Sequence, residues 1–332
     1  PLMKEDKLDT GVYVESVIDA IRSQGNGNIY ALAPTFNPAA LFYNVKLFRE
    51  AGVNPPTDNM SWDEVFNLAR QMSKGEGKDA IFGLTFNSWS GTAEYWWDIQ
   101  QFMAPLQLKV YDDQAERMTV NTPQWKKIWQ TVYDLHEANV IPSQEDLAQF
   151  QQPWQEGQPY RYNPFQGRPF FQGRVAMTVG EYSMINDLQT LKENAEKIGM
   201  EPIEWDVVST PYHDAAPGVG MSTSISSLFA INAKAQNPED AWEFVKFMNG
   251  EEWAKFKSRS TYEMSTRKEY IKVREGMSYN VEAFTKMQPA PWFGSSLSEQ
   301  RLLRERPNLS MVNELVNMAY NSVFQKQRTV DE

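Results

Sequence analysis

Short apolar segments alternate with well-marked helices along most of this chain. Four segments read as strands bounded by glycine, proline or a helix start: 81–86, 175–179, 205–210 and 225–231. Strands that alternate with helices of about ten to fifteen residues are typical of α/β folds with parallel or mixed sheets. The pattern therefore predicts an α/β protein, and a chain of 332 residues is long enough to form two lobes.

Two helix starts are marked especially clearly in the sequence. Ser61 and Glu64 have the spacing of a capping box, so a helix should begin there and run to about residue 74. Asn237 followed by Pro238 and two acidic residues predicts another helix start. The polar segment 144–173, rich in glutamine, proline and aromatic residues, is interpreted as a long irregular excursion.

Two prolines interrupt an apolar run near the start of the chain. The run begins at residue 29, is broken by Pro34 and Pro38, and resumes over 39–43 before a helix predicted from residue 46. Phe36 and Asn37 lie between the prolines. Proline fixes φ and removes a backbone donor, so this interruption marks a change of direction or of environment.

The composition excludes several classes of function. A net charge of −11 and a pI near 4.9 argue against a nucleic-acid partner. The chain has no cysteine and only two histidines, His136 and His213, so neither a metal site nor a cofactor is expected, and no residue is predicted to be catalytic. Both histidines are interpreted as packing or surface residues. No apolar stretch has the length needed to span a bilayer.

Ligands of open α/β sheets bind beyond the carboxyl ends of the strands, and the loops there supply candidate site residues. Several of these loops combine an aromatic ring with an amide or a carboxyl group, a mixture that suits a ligand with many hydroxyl groups. We expect stacking from Trp89, Tyr182 and Trp292, although each ring could instead pack in the core. The candidate ligand-binding residues are Phe36, Asn37, Asn87, Trp89, Glu181, Tyr182, Met221 and Trp292.

Four stretches, in order, resemble one protein family. They are ALFYNVKLFREAGVNPP with SWDEVFNLAR within 40–70, FFQGRVAMTVGEY at 170–182, WDVVSTP at 205–211, and INAKAQNPEDAWEFVKFMNGEEW at 231–253. Together they are similar to the extracellular solute-binding proteins of ABC importers, in the branch that carries sugars and oligosaccharides. Tyr182 stands where that family commonly has tryptophan.

The resemblance implies a periplasmic-binding-protein-like fold of type II. In that fold two α/β lobes are joined by a hinge, and the ligand binds in the cleft between them. We expect one lobe to comprise 1–38 plus 211–285 and the other 39–210 plus 286–332. The chain would cross between them at Pro34 to Pro38, near Thr210 and over 286–292, with Phe36 and Asn37 lining the cleft. The family's opening βαβ unit is expected to precede the position of Pro1.

The resemblance also implies a receptor and not an enzyme. Such a protein captures a carbohydrate outside the cytoplasmic membrane, as a periplasmic protein or a cell-surface lipoprotein, and delivers it to a membrane permease. We expect a monomer that binds an oligosaccharide. Two alternatives stay open: a binding protein for a cationic amine or peptide, and a carbohydrate-active hydrolase in which two carboxylates flank the glycosidic bond. The pair Glu181 and Asp187 is only weak evidence for the hydrolase, because the acidic chain has many carboxylates.

Overall fold

The chain folds into a mixed α/β structure, as predicted. The computed structural model describes residues 1–86, 95–112, 116–151, 163–225, 227–260, 262–290 and 297–332. Within these ranges the α-helices are α1 Leu2–Glu5, α2 Glu15–Gln24, α3 Val45–Ala51, α4 Trp62–Met72, α5 Tyr95–Met103, α6 Pro123–Glu137, α7 Gln144–Gln149, α8 Met184–Ile198, α9 Pro238–Met248, α10 Glu251–Lys257, α11 Leu297–Glu305 and α12 Val312–Phe324.

The strands of the described residues form one larger sheet and several two-stranded pairs. They are β1 Ala31–Leu32, β2 Thr35–Phe36, β3 Ala39–Asn44, β4 Phe82–Thr85, β5 Tyr111–Asp112, β6 Arg117–Met118, β7 Val175–Glu181, β8 Trp205–Val208, β9 Val219–Gly220, β10 Phe229–Ala230, β11 Met264–Ser265 and β12 Gln288–Pro289. The pairs are β1 with β10, β2 with β11, β9 with β12 and β5 with β6.

The larger sheet has the strand order β4-β7-β3-β8. Strand β4 runs parallel to β7, whereas β3 is antiparallel to both β7 and β8. Strands β4, β7 and β8 therefore run in the same direction, and their carboxyl ends lie at the edge of the sheet where β3 begins. Ala39, the first residue of β3, is paired with Glu181, the last residue of β7. This edge is where the sequence predicts a site.

Local sequence signals explain where the helix α4 begins. The Ser61 hydroxyl accepts from the Glu64 amide at 3.3 Å, and the Glu64 carboxylate accepts from the Ser61 amide at 2.7 Å, which completes the predicted capping box. The helix ends at Met72, slightly before the predicted end. The helix α9 begins at Pro238 as predicted, although the Asn237 side chain makes no capping hydrogen bond.

Other segment boundaries also differ from the predictions. Strand β7 extends two residues beyond the predicted end at Val179, because Gly180 and Glu181 continue the ladder with β3. Among the described residues of the predicted strand 225–231, regular strand structure is confined to β10. The segment 144–173 is not irregular throughout, since α7 begins with a capping box between Ser143 and Asp146.

Apolar side chains cover both faces of the larger sheet. On one face α4, α5, α6 and α12 pack against Leu41 and Leu84; on the other α8 packs against Phe42 and Phe82. The second core also contains Phe284, which the sequence assigns to the other lobe. The proposed lobe boundaries therefore stay a prediction.

Gly83 in β4 lies directly against the backbone of the helix α4. A Cβ at this position would lie 2.0 Å from the carbonyl oxygen of Ala69 in α4, far inside van der Waals contact with backbone. We expect Gly83→Ala to lower the free energy of unfolding by about 3 kcal/mol, because helix and strand must separate. Urea denaturation measures the effect. Gly199→Ala, which adds a methyl group in open space at φ +70°, is the control and should lower the free energy of unfolding by about 1 kcal/mol. Equal losses of unfolding free energy in the two variants would contradict the prediction.

Candidate functional site

A polar cluster lies at the sheet edge where β3 begins and β7 ends. The Asn37 side-chain amide donates to the Glu181 carboxylate at 2.6 Å and to the Ser183 hydroxyl at 3.2 Å. Its carbonyl oxygen accepts from the Ser183 backbone amide at 3.0 Å. All polar atoms of the Asn37 side chain are therefore used to hold the turn that follows β7.

A third segment joins the cluster through the backbone. The Asn37 amide donates to the Ser224 carbonyl at 2.8 Å, and the Ser224 amide donates back to Asn37 at 3.2 Å. The Tyr182 amide donates to the carbonyl of Pro38 at 2.8 Å. Chain segments far apart in the sequence thus converge on the interruption between Pro34 and Pro38.

Glu181 is the residue of this cluster best placed to meet a ligand. One carboxylate oxygen accepts from Asn37, and no described residue donates to the other oxygen. Burial raises the pKa of the Glu181 carboxyl above its ordinary value of 4.5. A half-buried carboxylate whose second oxygen accepts from no described donor is a strong acceptor for hydroxyl or ammonium donors.

Three predicted site residues are buried in this structure. Phe36 and Tyr182 are each 1% exposed, and Met221 is 3% exposed. The Tyr182 ring packs edge-on against Phe284 with centroids 5.2 Å apart, and the Arg274 guanidinium lies 5.3 Å from its centre. The exposed stacking surface expected at Tyr182 is therefore absent here, because distant aromatic and basic side chains cover the ring. Burial also raises the pKa of its hydroxyl.

The remaining candidates, Asn87, Trp89 and Trp292, lie outside the described residues. The first two follow β4, whose carboxyl end lies at the same edge as Glu181. Sequence reasoning did not identify Ser183 or Ser224 as members of the cluster. Ser183 stands directly after the glutamate and tyrosine that were selected, and small hydroxyl residues in such turns are a usable signal.

The segments around Thr210 pack closely at this edge. The Thr210 hydroxyl accepts from the Met221 amide at 3.1 Å. A Cβ on Gly220 would lie 2.1 Å from that hydroxyl and 2.8 Å from Cβ of Met287. Gly220 is also paired with Pro289 in a parallel bridge. Glycine is thus required where two connecting segments run side by side.

Two further observations concern the part of the chain that the structure describes. Among the described residues, no three His, Asp or Glu side chains are grouped closely enough to hold a metal ion. None of the helices in the described ranges combines the length and hydropathy needed to cross a bilayer. The polar cluster itself can accept and donate hydrogen bonds, and it holds neither histidine.

Solved structures of similar fold define the class of protein. A sugar transporter from Rhizobium etli in an open conformation matches with a TM-score of 0.67 and 19% identity, covering 99% of this chain and 75% of that one. Maltose-bound MalE3 from T. maritima matches at 0.58 and 17%, covering 99% and 75%. A substrate-binding protein from Listeria monocytogenes in complex with cycloalternan matches at 0.56 and 17%, covering 99% and 74%. The fold is therefore the two-lobed, type II periplasmic-binding-protein fold.

The family follows from the sequence itself. The chain belongs to the bacterial extracellular solute-binding proteins, whose sequence profile matches residues 2–255. A comparison with curated proteins gave no significant match. Members of this family bind solutes and are not enzymes.

Proposed function

We propose that this chain captures a carbohydrate, specifically an oligosaccharide, and delivers it to the permease of an ABC importer. The observation that carries the proposal is the Glu181 carboxylate, held by Asn37 at 2.6 Å with its second oxygen free of described donors. Sugar hydroxyls donate hydrogen bonds to such a carboxylate, whereas an anionic ligand would be repelled.

Ligands of the structural neighbours support a saccharide. The solved neighbours include complexes with cycloalternan, maltose, maltotetraose and mannobiose. An aromatic content of 13% also suits a ligand with several rings, because each sugar ring can stack on its own aromatic side chain.

Individual residues take separate roles in the proposed site. Glu181 and Asn87 would bind hydroxyl groups, Asn37 would hold the Glu181 carboxylate in place, and Trp89 and Trp292 would stack on sugar rings. Tyr182, Phe36 and Met221 would form the wall behind them, since the described rings and the thioether are buried.

The proposal also includes the division into two lobes, the oligomeric state and the location of the protein. One lobe would comprise 1–38 plus 211–285, and the other 39–210 plus 286–332, closing over the ligand about the connecting segments. The protein would act as a monomer, in the periplasm or attached to the cell surface as a lipoprotein.

A ligand screen by thermal unfolding tests the function. We expect maltotetraose or mannobiose, at about 100 times its dissociation constant, to raise the melting temperature by about 5 °C. Spermidine and glucuronate are included as a cationic and an anionic comparison. A shift with spermidine alone would favour an amine-binding protein, and release of reducing ends from the saccharide would indicate a hydrolase.

A further inference from the structure

A half-buried carboxylate joins three segments beside the site. Asp58, in the loop between α3 and α4, accepts from the Ser209 amide at 2.8 Å and from the Lys286 ammonium at 2.8 Å. The Asn280 side-chain amide donates to both Asp58 oxygens at 3.3 and 3.2 Å. These four residues are called the Asp58 clasp. They come from positions up to 228 residues apart in the chain.

The electrostatics of the clasp favour the ionised carboxylate. Burial alone would raise the pKa of Asp58, but hydrogen bonds from Lys286, Ser209 and Asn280 outweigh it and lower the pKa. The Asp58 side chain is 21% exposed and that of Lys286 38%, so the pair is more than a freely solvated surface contact.

Both segments held by the clasp lead directly into the closely packed edge. Ser209 precedes Thr210, whose hydroxyl accepts from the Met221 amide. Lys286 precedes β12, whose Gln288 amide donates to the Gly218 carbonyl at 2.9 Å. The clasp therefore fixes the first residues of two neighbouring segments that then pair through β9 and β12.

A second contact strengthens the attachment of the later segment. The Asn280 backbone amide donates to the Asp206 carboxylate of β8 at 2.9 Å, so Asn280 binds two aspartates at once. Asn59, next to Asp58, donates its amide to the Ser209 hydroxyl at 2.8 Å. The end of β8 and the segment 280–286 are thus joined at several points.

We propose that Asp58 is a positioning residue for the binding site. It fixes the segments 209–221 and 286–290 relative to the larger sheet and so restrains the backbone that carries Met221. The consequence for ligand binding rests on the proposed function, whereas the restraint itself concerns the ligand-free protein and is tested there.

Hydrogen exchange of the ligand-free protein, followed by mass spectrometry, tests the restraint. In Asp58→Asn the shape of the side chain is retained and the charge is lost. We expect exchange in peptides covering 219–221 and 286–290 to be about tenfold faster than in the wild type. Peptides covering 39–44 and 175–181 should be unchanged. Lys286→Met removes the other partner and should give the same local pattern.

Glu204→Gln is the matched control, because it breaks an ion pair with Arg49 at the opposite end of β8. It should leave exchange at 219–221 and 286–290 unchanged. The proposal is overturned if Asp58→Asn behaves like this control, or if exchange rises equally in all peptides, which would indicate a general loss of stability. Failure of every saccharide to bind would contradict the proposed function and leave this result intact.

Discussion

Lowering the pH from 7 to 4.5 should destabilise the wild-type protein by about 2.5 kcal/mol more than it destabilises His136→Leu. His136 lies in α6 with its ring 6% exposed and packed edge-on against Phe324, the centroids 4.8 Å apart. Burial lowers its pKa from 6.5 to about 3, outweighing a hydrogen bond with the Ile141 backbone that raises it. The folded protein thus keeps this ring neutral.

The sign of the effect follows from the two pKa values of His136. In the unfolded chain the ring binds a proton as the pH falls below 6.5, whereas in the folded protein it stays neutral until about pH 3. The unfolded state therefore binds more protons in this window, and stability is lost as the pH falls. Above pH 6.5 the contribution of His136 is fully present.

Urea denaturation at several pH values measures the difference between wild type and variant. Leucine fills a similar volume without a titratable group, so only the pH-dependent part should disappear. His213→Leu is the comparison variant, and its stability is measured over the same pH range. Burial also lowers the pKa of His213, whose ring contacts the Phe102 carbonyl. The prediction fails if His136→Leu loses stability with falling pH as steeply as the wild type.

The elements of this fold were predictable where local signals define them. The capping box at Ser61 and Glu64 marks the start of α4 because its hydrogen bonds involve residues three positions apart. The interruption at Pro34 and Pro38 predicted a change of direction or of environment, and β2 ends within it and β3 begins directly after it. The end of β7 was missed because Glu181 belongs to the strand only through its pairing with Ala39, a contact that local sequence does not encode.

Local sequence selected individual members of the polar cluster but could not show how their side chains are arranged. Asn37 and Glu181 were selected separately as polar residues in loops at strand ends, and the structure shows them bonded to each other. The burial of Tyr182 depends on Phe284 and Arg274, about a hundred positions later in the chain. An aromatic residue after a strand looks the same in sequence whether a distant segment covers it or not.

Glu181→Gln should weaken saccharide binding by about 30-fold. Glutamine retains an oxygen that can accept from Asn37, so the turn after β7 should keep its shape. The negative charge is lost, however. A sugar hydroxyl that donates to the carboxylate in the wild type would, in the variant, donate to a neutral amide oxygen or face an amide N–H, which cannot accept. Titration calorimetry with the saccharide that gives the largest thermal shift measures the change.

Glu193→Gln is the matched control for this variant. Glu193 lies on α8, which follows the same strand, and among the described residues its carboxylate accepts only from the exposed Gln189 side chain, at 2.8 Å. Its substitution should leave the dissociation constant unchanged. Equal affinities for wild type and Glu181→Gln would contradict the role proposed for Glu181.

The free energy of unfolding of Glu181→Gln distinguishes a binding role of Glu181 from a structural role. Burial raises the pKa of this carboxyl in the folded protein, so ionisation of Glu181 opposes folding at neutral pH. Glu181→Gln should therefore be at least as stable as the wild type at pH 7, while it binds the saccharide more weakly.

Binding by the wild type should also decline as the pH falls through the raised pKa, and binding by the variant should lack this dependence. A variant that lost stability and affinity together would show that Glu181 supports the fold.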